Sequence, residues 1–154
     1  MIQEPKLANL YQEVILDHNR KPRNFREMED ATQYSHGVNP LCGDNYHLYL
    51  KVNHENVVED ISFTGNGCAI SKSSASLMTS LVKGKTTAEV EALKTHFLNM
   101  MTQENAPATE DQVGRMIIFK GVKEYPVRVK CATLIWQALA DALRDARGDY
   151  GISK

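Results

Sequence analysis

The residues with the clearest chemical potential are three cysteines, Cys42, Cys68 and Cys131, together with Asp44, which lies two positions after the first of them. Three cysteines cannot all pair within one chain, and a reducing compartment keeps them as thiols. Thiolates act as nucleophiles and as ligands for soft metal ions. The sequence therefore allows sulfur chemistry or metal binding, beside the alternative that the cysteines are inert buried residues.

Each cysteine lies at a predicted boundary between structural elements, where we expect exposure. Cys42 precedes a strand, Cys68 ends the glycine-rich turn 65–67, and Cys131 opens a predicted helix. A helix N-terminus beside Cys68 and basic residues just before Cys131 both stabilise a thiolate. These settings predict a lowered pKa for both thiols.

The three thiols and Asp44 would form a four-ligand set if the fold gathered them. Zinc accepts such a tetrahedral set, and an iron–sulfur cluster would use similar ligands. The spacing matches no local zinc ribbon, so the ligands must come together through tertiary structure. Asp44 is also typical of a turn or cap residue. Arg128 and Lys130 are also typical of a solvent-exposed helix start. Beside an anionic site, the two basic residues would supply compensating charge.

Other chemistries are less well supported by the sequence. None of the five histidines (His18, His36, His47, His54 and His96) lies in a motif that pairs it with a cysteine nucleophile. The segment Gly65-Asn66-Gly67 resembles part of a phosphate-binding loop but lacks the Gly-Lys-Ser/Thr ending. We interpret it as a turn that lets the backbone approach the site closely.

Hydrophobic periodicity predicts the elements that must position these residues. Apolar residues at helical spacing predict a helix over Glu4 to Asn19, and alternation predicts strands over Tyr46 to Val52 and Val57 to Thr64. A weaker strand is predicted over Ala31 to Ser35, and the His54–Asn56 break allows a hairpin.

The second half of the chain is predicted to be mostly helical. The expected elements are a helix from Ala69 to Gly84, a helix capped by Thr86 or Thr87 and running to Met101, a loop over Glu104 to Asp111, an uncertain stretch over Val113 to Val122, and a last helix stopped by Gly148. The order predicts an α+β fold with a small antiparallel sheet of about three strands packed against several helices.

Composition restricts the class of protein. The 154 residues are 42% hydrophobic and 24% charged, with 18 Lys plus Arg against 19 Asp plus Glu. This length and balance predict one globular domain over residues 1–154. No basic surface for nucleic acid is indicated, and no signal peptide or membrane span is recognisable, so we expect a cytoplasmic protein.

Three segments together resemble one known family. They are Asn39 to Asp44, Gly65 to Ser71 with Ser73 to Met78, and Arg128 to Leu134 with Trp136. In this order they are similar to the U-type iron–sulfur assembly family (IscU, SufU and the N-terminal part of NifU), and the likeness runs from about Leu7 to Leu143. Within that family the chain looks most like the SufU branch. Lys130 precedes the third cysteine where the IscU branch usually has histidine, and the interval from Cys68 to Cys131 is long.

The resemblance implies a SufE/NifU-like fold and a zinc site made by Cys42, Asp44, Cys68 and Cys131. It implies that Cys42 accepts persulfide sulfur from a pyridoxal-phosphate-dependent cysteine desulfurase and that a downstream iron–sulfur assembly scaffold receives it. Arg128 matches a family arginine and is expected to assist by pairing with Asp44 or the partner. Two alternatives remain: a scaffold that builds a [2Fe–2S] cluster, and a zinc-stabilised regulator of the desulfurase.

Overall fold

The computed structural model of the chain describes residues 3–103 and 108–145, with side chains from Tyr11 to Arg144. Its elements are α1 (Gln3–Arg20), β1 (Gln33–Asn39), β2 (Asp44–Val52), β3 (Val58–Asn66), α2 (Ala69–Val82), α3 (Thr87–Thr102), α4 (Glu110–Val113), a 3-10 segment (Gly114–Glu124) and α5 (Pro126–Asp145). This arrangement confirms the predicted α+β fold.

The sheet is antiparallel with the order β1-β2-β3. Residues at alternate positions, such as Tyr46, Leu48 and Leu50 of β2, are completely buried, because they face the helices α2 and α5. The turn after β2 is held by Asn53, whose Oδ1 accepts hydrogen bonds from the backbone N–H groups of Glu55 and Val57. The predicted hairpin is therefore confirmed.

The helices complete one hydrophobic core with the inner face of the sheet. Trp136 of α5 lies at its centre and packs against Phe97 of α3, with 4.9 Å between ring centroids. α3 begins at the predicted cap: Thr86 Oγ1 accepts from the Glu89 backbone N–H at 3.1 Å, and the Glu89 carboxylate accepts from the Thr86 backbone N–H at 2.9 Å. Within the described ranges, no helix has the length and apolar character needed to cross a bilayer.

Two of the predicted elements were inaccurate. The first strand begins at Gln33 and continues to Asn39, beyond the expected end at Ser35. Glu110 and Asp111 are helical, not loop, because Thr109 and Gln112 form a capping box. The uncertain stretch after Val113 is a 3-10 helix. Gly148, the expected stop of the last helix, lies outside the described residues.

Candidate metal centre

Donor atoms from three separate parts of the chain meet at one end of the sheet. One thiol sulfur each from Cys42 and Cys131 and one carboxylate oxygen from Asp44 all lie within 4.8 Å of one another. The two sulfur atoms are 3.3 Å apart. Cys68 adjoins this group, because its backbone N–H donates to Asp44 Oδ1 at 3.0 Å and its side chain interacts with that of Cys131. The fold thus brings Cys42, Asp44 and Cys131 into one donor group and places Cys68 beside it.

Cys42 occupies the turn between β1 and β2. Its backbone N–H and that of Gly43 both donate to the carbonyl of Asn39, at 3.1 and 2.9 Å. Gly43 has φ +75°, a conformation that other residues adopt only with strain. The neighbouring Leu41 side chain is 78% exposed, and Cys42 itself is half-buried. The turn therefore presents the Cys42 thiol at the rim of the site.

Asp44 is the first residue of β2, and its side chain is completely buried. Oδ1 accepts the Cys68 N–H, but Oδ2 has no hydrogen-bond partner within the described part of the chain. A buried carboxylate oxygen without a partner is costly, and buried charges in proteins are usually paired or bound to metal. The orphaned oxygen and the adjacent thiols therefore fit a thiophilic cation such as zinc.

Cys68 caps the N-terminus of α2. Its sulfur accepts the backbone N–H of Ser71 at 3.4 Å, which places the thiol in the positive field of the helix end. Gly65, near the end of β3, has φ +130°, and a Cβ there would lie 2.1 Å from the carbonyl oxygen of Asn45. Only glycine permits this close approach of β3 to β2.

Cys131 differs from the sequence expectation in two respects. It does not open a helix, because α5 already begins at Pro126 and Cys131 lies in its second turn. It is also completely buried instead of exposed. Burial, with contributions from the neighbouring thiols, raises the pKa of the Cys131 thiol, whereas a lowered pKa was predicted. Proline is favoured at the first helical position, and this signal at Pro126 marks the true start.

Arg128 and Lys130 lie in the first turns of α5, and both are exposed. A hydrogen bond to Cys131, followed by the charges of Cys68 and Cys42, raises the pKa of the Arg128 guanidinium. Its charge is therefore complementary to the thiolate forms of these cysteines. Lys130 lines a cavity of about 120 Å³ beside Cys42 and Asn39.

Two residues of the site were not identified from the sequence, Tyr46 and Ser71, whereas the close approach of the Gly67 turn was predicted. The Tyr46 hydroxyl lies 2.8 Å from Ser71 Oγ, directly beneath the Cys68 turn. A Cβ on Gly67 would lie 2.4 to 2.6 Å from Ser71 Oγ, the Tyr46 hydroxyl and Asp44 Oδ1. The available signal was strand alternation, since Tyr46 follows Asp44 by two positions and shares its face.

The histidines serve other parts of the fold. His18 is buried between α1 and α2, with Nδ1 2.7 Å from Ser76 Oγ. His36 and His47 stack on the outer face of the sheet, with 4.4 Å between ring centroids. The donor group formed by the described residues contains no histidine.

Comparison with known proteins identifies the family. The NifU-like N terminal domain matches residues 10–132, which include all four donor residues. The chain belongs to this family. It is 39% identical over 141 residues to an iron–sulfur cluster assembly scaffold protein IscU of Streptococcus pyogenes, covering 90% of this chain and 86% of the relative. It is 37% identical over 142 residues to the zinc-dependent sulfurtransferase SufU of Bacillus subtilis, covering 92% and 95%.

Solved structures of family members share the fold. An iron–sulfur cluster assembly scaffold protein for the SUF system from Fervidobacterium islandicum aligns with a TM-score of 0.80 at 35% identity, over 85% of this chain and 94% of that one. The N-terminal part of a NifU-like protein from Brucella abortus aligns with a TM-score of 0.81 at 28% identity, over 89% and 94%. The resemblance stated from the three motifs is therefore confirmed.

Proposed function

We propose that this chain is a zinc-dependent sulfurtransferase that accepts persulfide sulfur on Cys42 from a pyridoxal-phosphate-dependent cysteine desulfurase, for iron–sulfur cluster biogenesis. The observation that carries the proposal is the unequal placement of two thiols only 3.3 Å apart, Cys42 on a surface turn and Cys131 buried in a helix. The similarity to a relative named as a zinc-dependent sulfurtransferase supports it.

The residues that would hold zinc are Cys42, Asp44, Cys68 and Cys131. The unpartnered Asp44 Oδ2 and three thiols are a donor set that zinc accepts. When bound, zinc would keep these thiols in the thiolate form at neutral pH. The proposal includes a cytoplasmic location, since a reducing compartment preserves the thiols.

The chemistry at Cys42 is an exchange between a thiol and a persulfide. The Cys42 thiolate attacks the terminal sulfur of the persulfide on the desulfurase cysteine. A new sulfur–sulfur bond forms on Cys42, the donor sulfur–sulfur bond breaks, and the desulfurase cysteine leaves as a thiolate. The persulfide sulfur passes on without net oxidation, so this chain needs no redox cofactor. A downstream iron–sulfur assembly scaffold would be the recipient.

The surroundings of Cys42 suit a protein partner. Leu41 is 78%, Tyr125 61% and Val127 59% exposed, and all three line the surface beside Cys42. Large apolar side chains exposed together commonly mark an interaction surface. We propose that this exposed apolar patch, formed by Leu41, Tyr125 and Val127, contacts the desulfurase.

Arg128 would assist the exchange by stabilising the anionic forms of the site cysteines, Cys131 above all. Arg128→Ala should therefore slow sulfur transfer by about tenfold, the scale of a lost charge-assisted hydrogen bond, while zinc remains bound. Arg144→Ala is the matched control, being an exposed arginine near the other end of the same helix, where it pairs with Asp141. Full transfer by zinc-loaded Arg128→Ala would contradict this role.

The second candidate function is a scaffold on which a [2Fe–2S] cluster is assembled and then delivered. It is favoured by the same donor set and by relatives named as scaffold proteins at similar identity. Lys130 counts against it, because an ammonium at this position cannot ligate as a neutral imidazole can. The third candidate, a zinc-stabilised regulator, would bind the desulfurase without accepting sulfur.

The deciding experiment combines metal analysis with desulfurase turnover. Protein purified without oxygen should contain about one zinc per chain and no acid-labile sulfide. It should accelerate a cysteine desulfurase, and persulfide should be trapped on Cys42 by alkylation. Iron and sulfide in equal amounts, without Cys42-dependent activation, would establish the scaffold instead. Activation that survives Cys42→Ser would establish the regulator.

A further inference from the structure

A hydrogen-bonded chain of buried groups lies beneath the metal centre. Tyr46 is completely buried, and its hydroxyl lies 2.8 Å from Ser71 Oγ. Ser71, in the first turn of α2, contacts Cys68 at both ends: its Oγ is 3.1 Å from the Cys68 carbonyl oxygen, and its backbone N–H donates to the Cys68 sulfur at 3.4 Å. Ser71 therefore holds both the backbone and the thiol of Cys68.

The direction of this chain follows from making both hydrogen bonds at once. A serine hydroxyl has one proton to donate, and the carbonyl of Cys68 can only accept. Both bonds therefore form together only when Ser71 donates to the Cys68 carbonyl and the Tyr46 hydroxyl donates to Ser71 Oγ. In this arrangement the tyrosine hydroxyl favours the rotamer in which Ser71 contacts Cys68.

Packing leaves the tyrosine hydroxyl little room to move. The Tyr46 ring packs edge-on against Phe63, with 5.9 Å between centroids. A Cβ on Gly67 would lie 2.5 Å from the Tyr46 hydroxyl and 2.6 Å from Asp44 Oδ1. The backbone of the turn between β3 and α2 therefore packs closely against both groups. The same turn carries the Cys68 N–H that donates to Asp44 Oδ1 at 3.0 Å. Tyr46 thus supports the point where Asp44 and Cys68 meet.

We propose that Tyr46 is a positioning residue for the metal centre, acting through Ser71 to hold the Cys68 thiol beside Asp44. In this arrangement Asp44 and Cys68 form a preorganised, immobile half of the site, and Cys42 remains on the surface turn. The inference rests on the metal-binding part of the proposed function and not on sulfur transfer. A ligand held in place by its supporting hydrogen bonds binds metal more tightly than a loose one.

Tyr46→Phe tests the proposal, because it removes the hydroxyl and keeps the buried ring. Zinc affinity, measured by competition with a chromophoric chelator, should fall by about tenfold, the lower end of what loss of a supporting hydrogen bond costs a metal site. In zinc-free protein, peptide mapping should show the Cys68 thiol alkylated several-fold faster, because the α2 N-terminus opens more often. Tyr49→Phe is the matched control: it removes a hydroxyl from the outer face of the same strand and should change neither quantity.

Ser71→Ala and the double variant show whether the tyrosine acts through the serine. Ser71→Ala should match or exceed the effect of Tyr46→Phe, and the double variant should be no worse than Ser71→Ala alone. Wild-type zinc affinity and Cys68 reactivity in a folded Tyr46→Phe protein would overturn the proposal. If Tyr46→Phe does not fold, an unchanged Ser71→Ala protein would overturn it. Both readouts are independent of the desulfurase, so failed sulfur transfer would affect the proposed function alone.

Discussion

The two carboxylate oxygen atoms of Asp44 have different surroundings. Oδ1 accepts a hydrogen bond from the backbone N–H of Cys68, and Oδ2 is buried without a hydrogen-bond partner among the described residues. The carboxylate therefore combines a structural contact with a free donor atom for metal. Asparagine separates the two contributions, because its amide oxygen can still accept the Cys68 N–H but its nitrogen cannot ligate a cation.

Asp44→Asn should therefore retain the fold and lose metal affinity. We expect zinc binding to weaken by at least about tenfold, since a donor atom is lost while its supporting contacts remain. Chelator competition gives the affinity, and circular dichroism checks the fold. Native affinity in a folded Asp44→Asn protein would show that Oδ2 is not a ligand.

At this scale the sequence identified Cys42, Asp44, Cys68 and Cys131 by residue type and by likeness to the family motifs. It did not identify Tyr46 or Ser71, because an inward tyrosine on a strand and a small residue on a packed helix are ordinary core positions. Their contribution depends on a contact between β2 and α2, which local sequence does not encode. For the same reason the burial of Cys131 was missed: it results from packing of α5 on the sheet.

At the scale of elements, the turn between β3 and α2 is the tightest part of the site. A Cβ on Gly67 would meet three oxygen atoms at 2.4 to 2.6 Å, well inside ordinary contact distance. These atoms belong to Ser71, Tyr46 and Asp44, which are themselves fixed by hydrogen bonds. The turn cannot accept a side chain without displacing them.

Gly67→Ala should lower the free energy of unfolding by about 2 to 3 kcal/mol, the usual scale of overpacking. Gly121→Ala is the matched control, because a Cβ there meets nothing within 4 Å. It should change stability by no more than about 0.5 kcal/mol. Urea unfolding of both variants measures the difference, and equal stabilities would refute the crowding described here.

Prediction of the elements succeeded where local signals were strong. α1 has a clear apolar period, and α3 carries a capping box, so both were placed within a few residues. β1 was placed too early, because Gly37 faces inward and interrupts its alternation. Gly37 is buried against α5, where a Cβ would lie 3.4 Å from the Ala138 and Leu134 side chains. The burial of this position comes from a helix distant in sequence and leaves no apolar pattern around β1.

At the scale of the whole molecule, the metal would connect β2, α2, α5 and the β1–β2 turn. Metal bound only by the folded state adds its binding free energy to folding. Zinc at a thousandfold excess over its dissociation constant should contribute about 4 kcal/mol, raising the melting temperature by about 10 °C for a chain of this size. Differential scanning calorimetry with and without zinc measures the shift. An unchanged melting temperature would count against a closed four-ligand site.

The acid stability of the whole fold should depend on two histidines. Burial, followed by the charge of Arg23, lowers the pKa of His18 below 6.5, and burial, followed by His36, lowers that of His47, where Glu27 partly opposes the shift. Unfolded chains therefore bind more protons than folded ones as the pH falls below about 6.5, and stability decreases in that direction.

Zinc-free protein should accordingly unfold at a lower urea concentration at about pH 5.5 than at about pH 7.5. Removal of the metal excludes proton competition at the thiols from this comparison. His47→Gln should reduce the difference between the two pH values. Equal stability of the unsubstituted protein at both values would contradict the assignment.

The separation of the donor residues along the chain also has a consequence for biosynthesis. Cys42 and Cys131 are 89 positions apart, yet their sulfur atoms touch in the folded state. A ribosome must therefore reach residue 131 before the final donor arrives, and contacts between such distant residues form late because loop closure is costly. An emerging chain presents at most a partial set of donors. Stable capture of a cation thus reports that translation has passed Cys131 and that α5 has docked on the sheet.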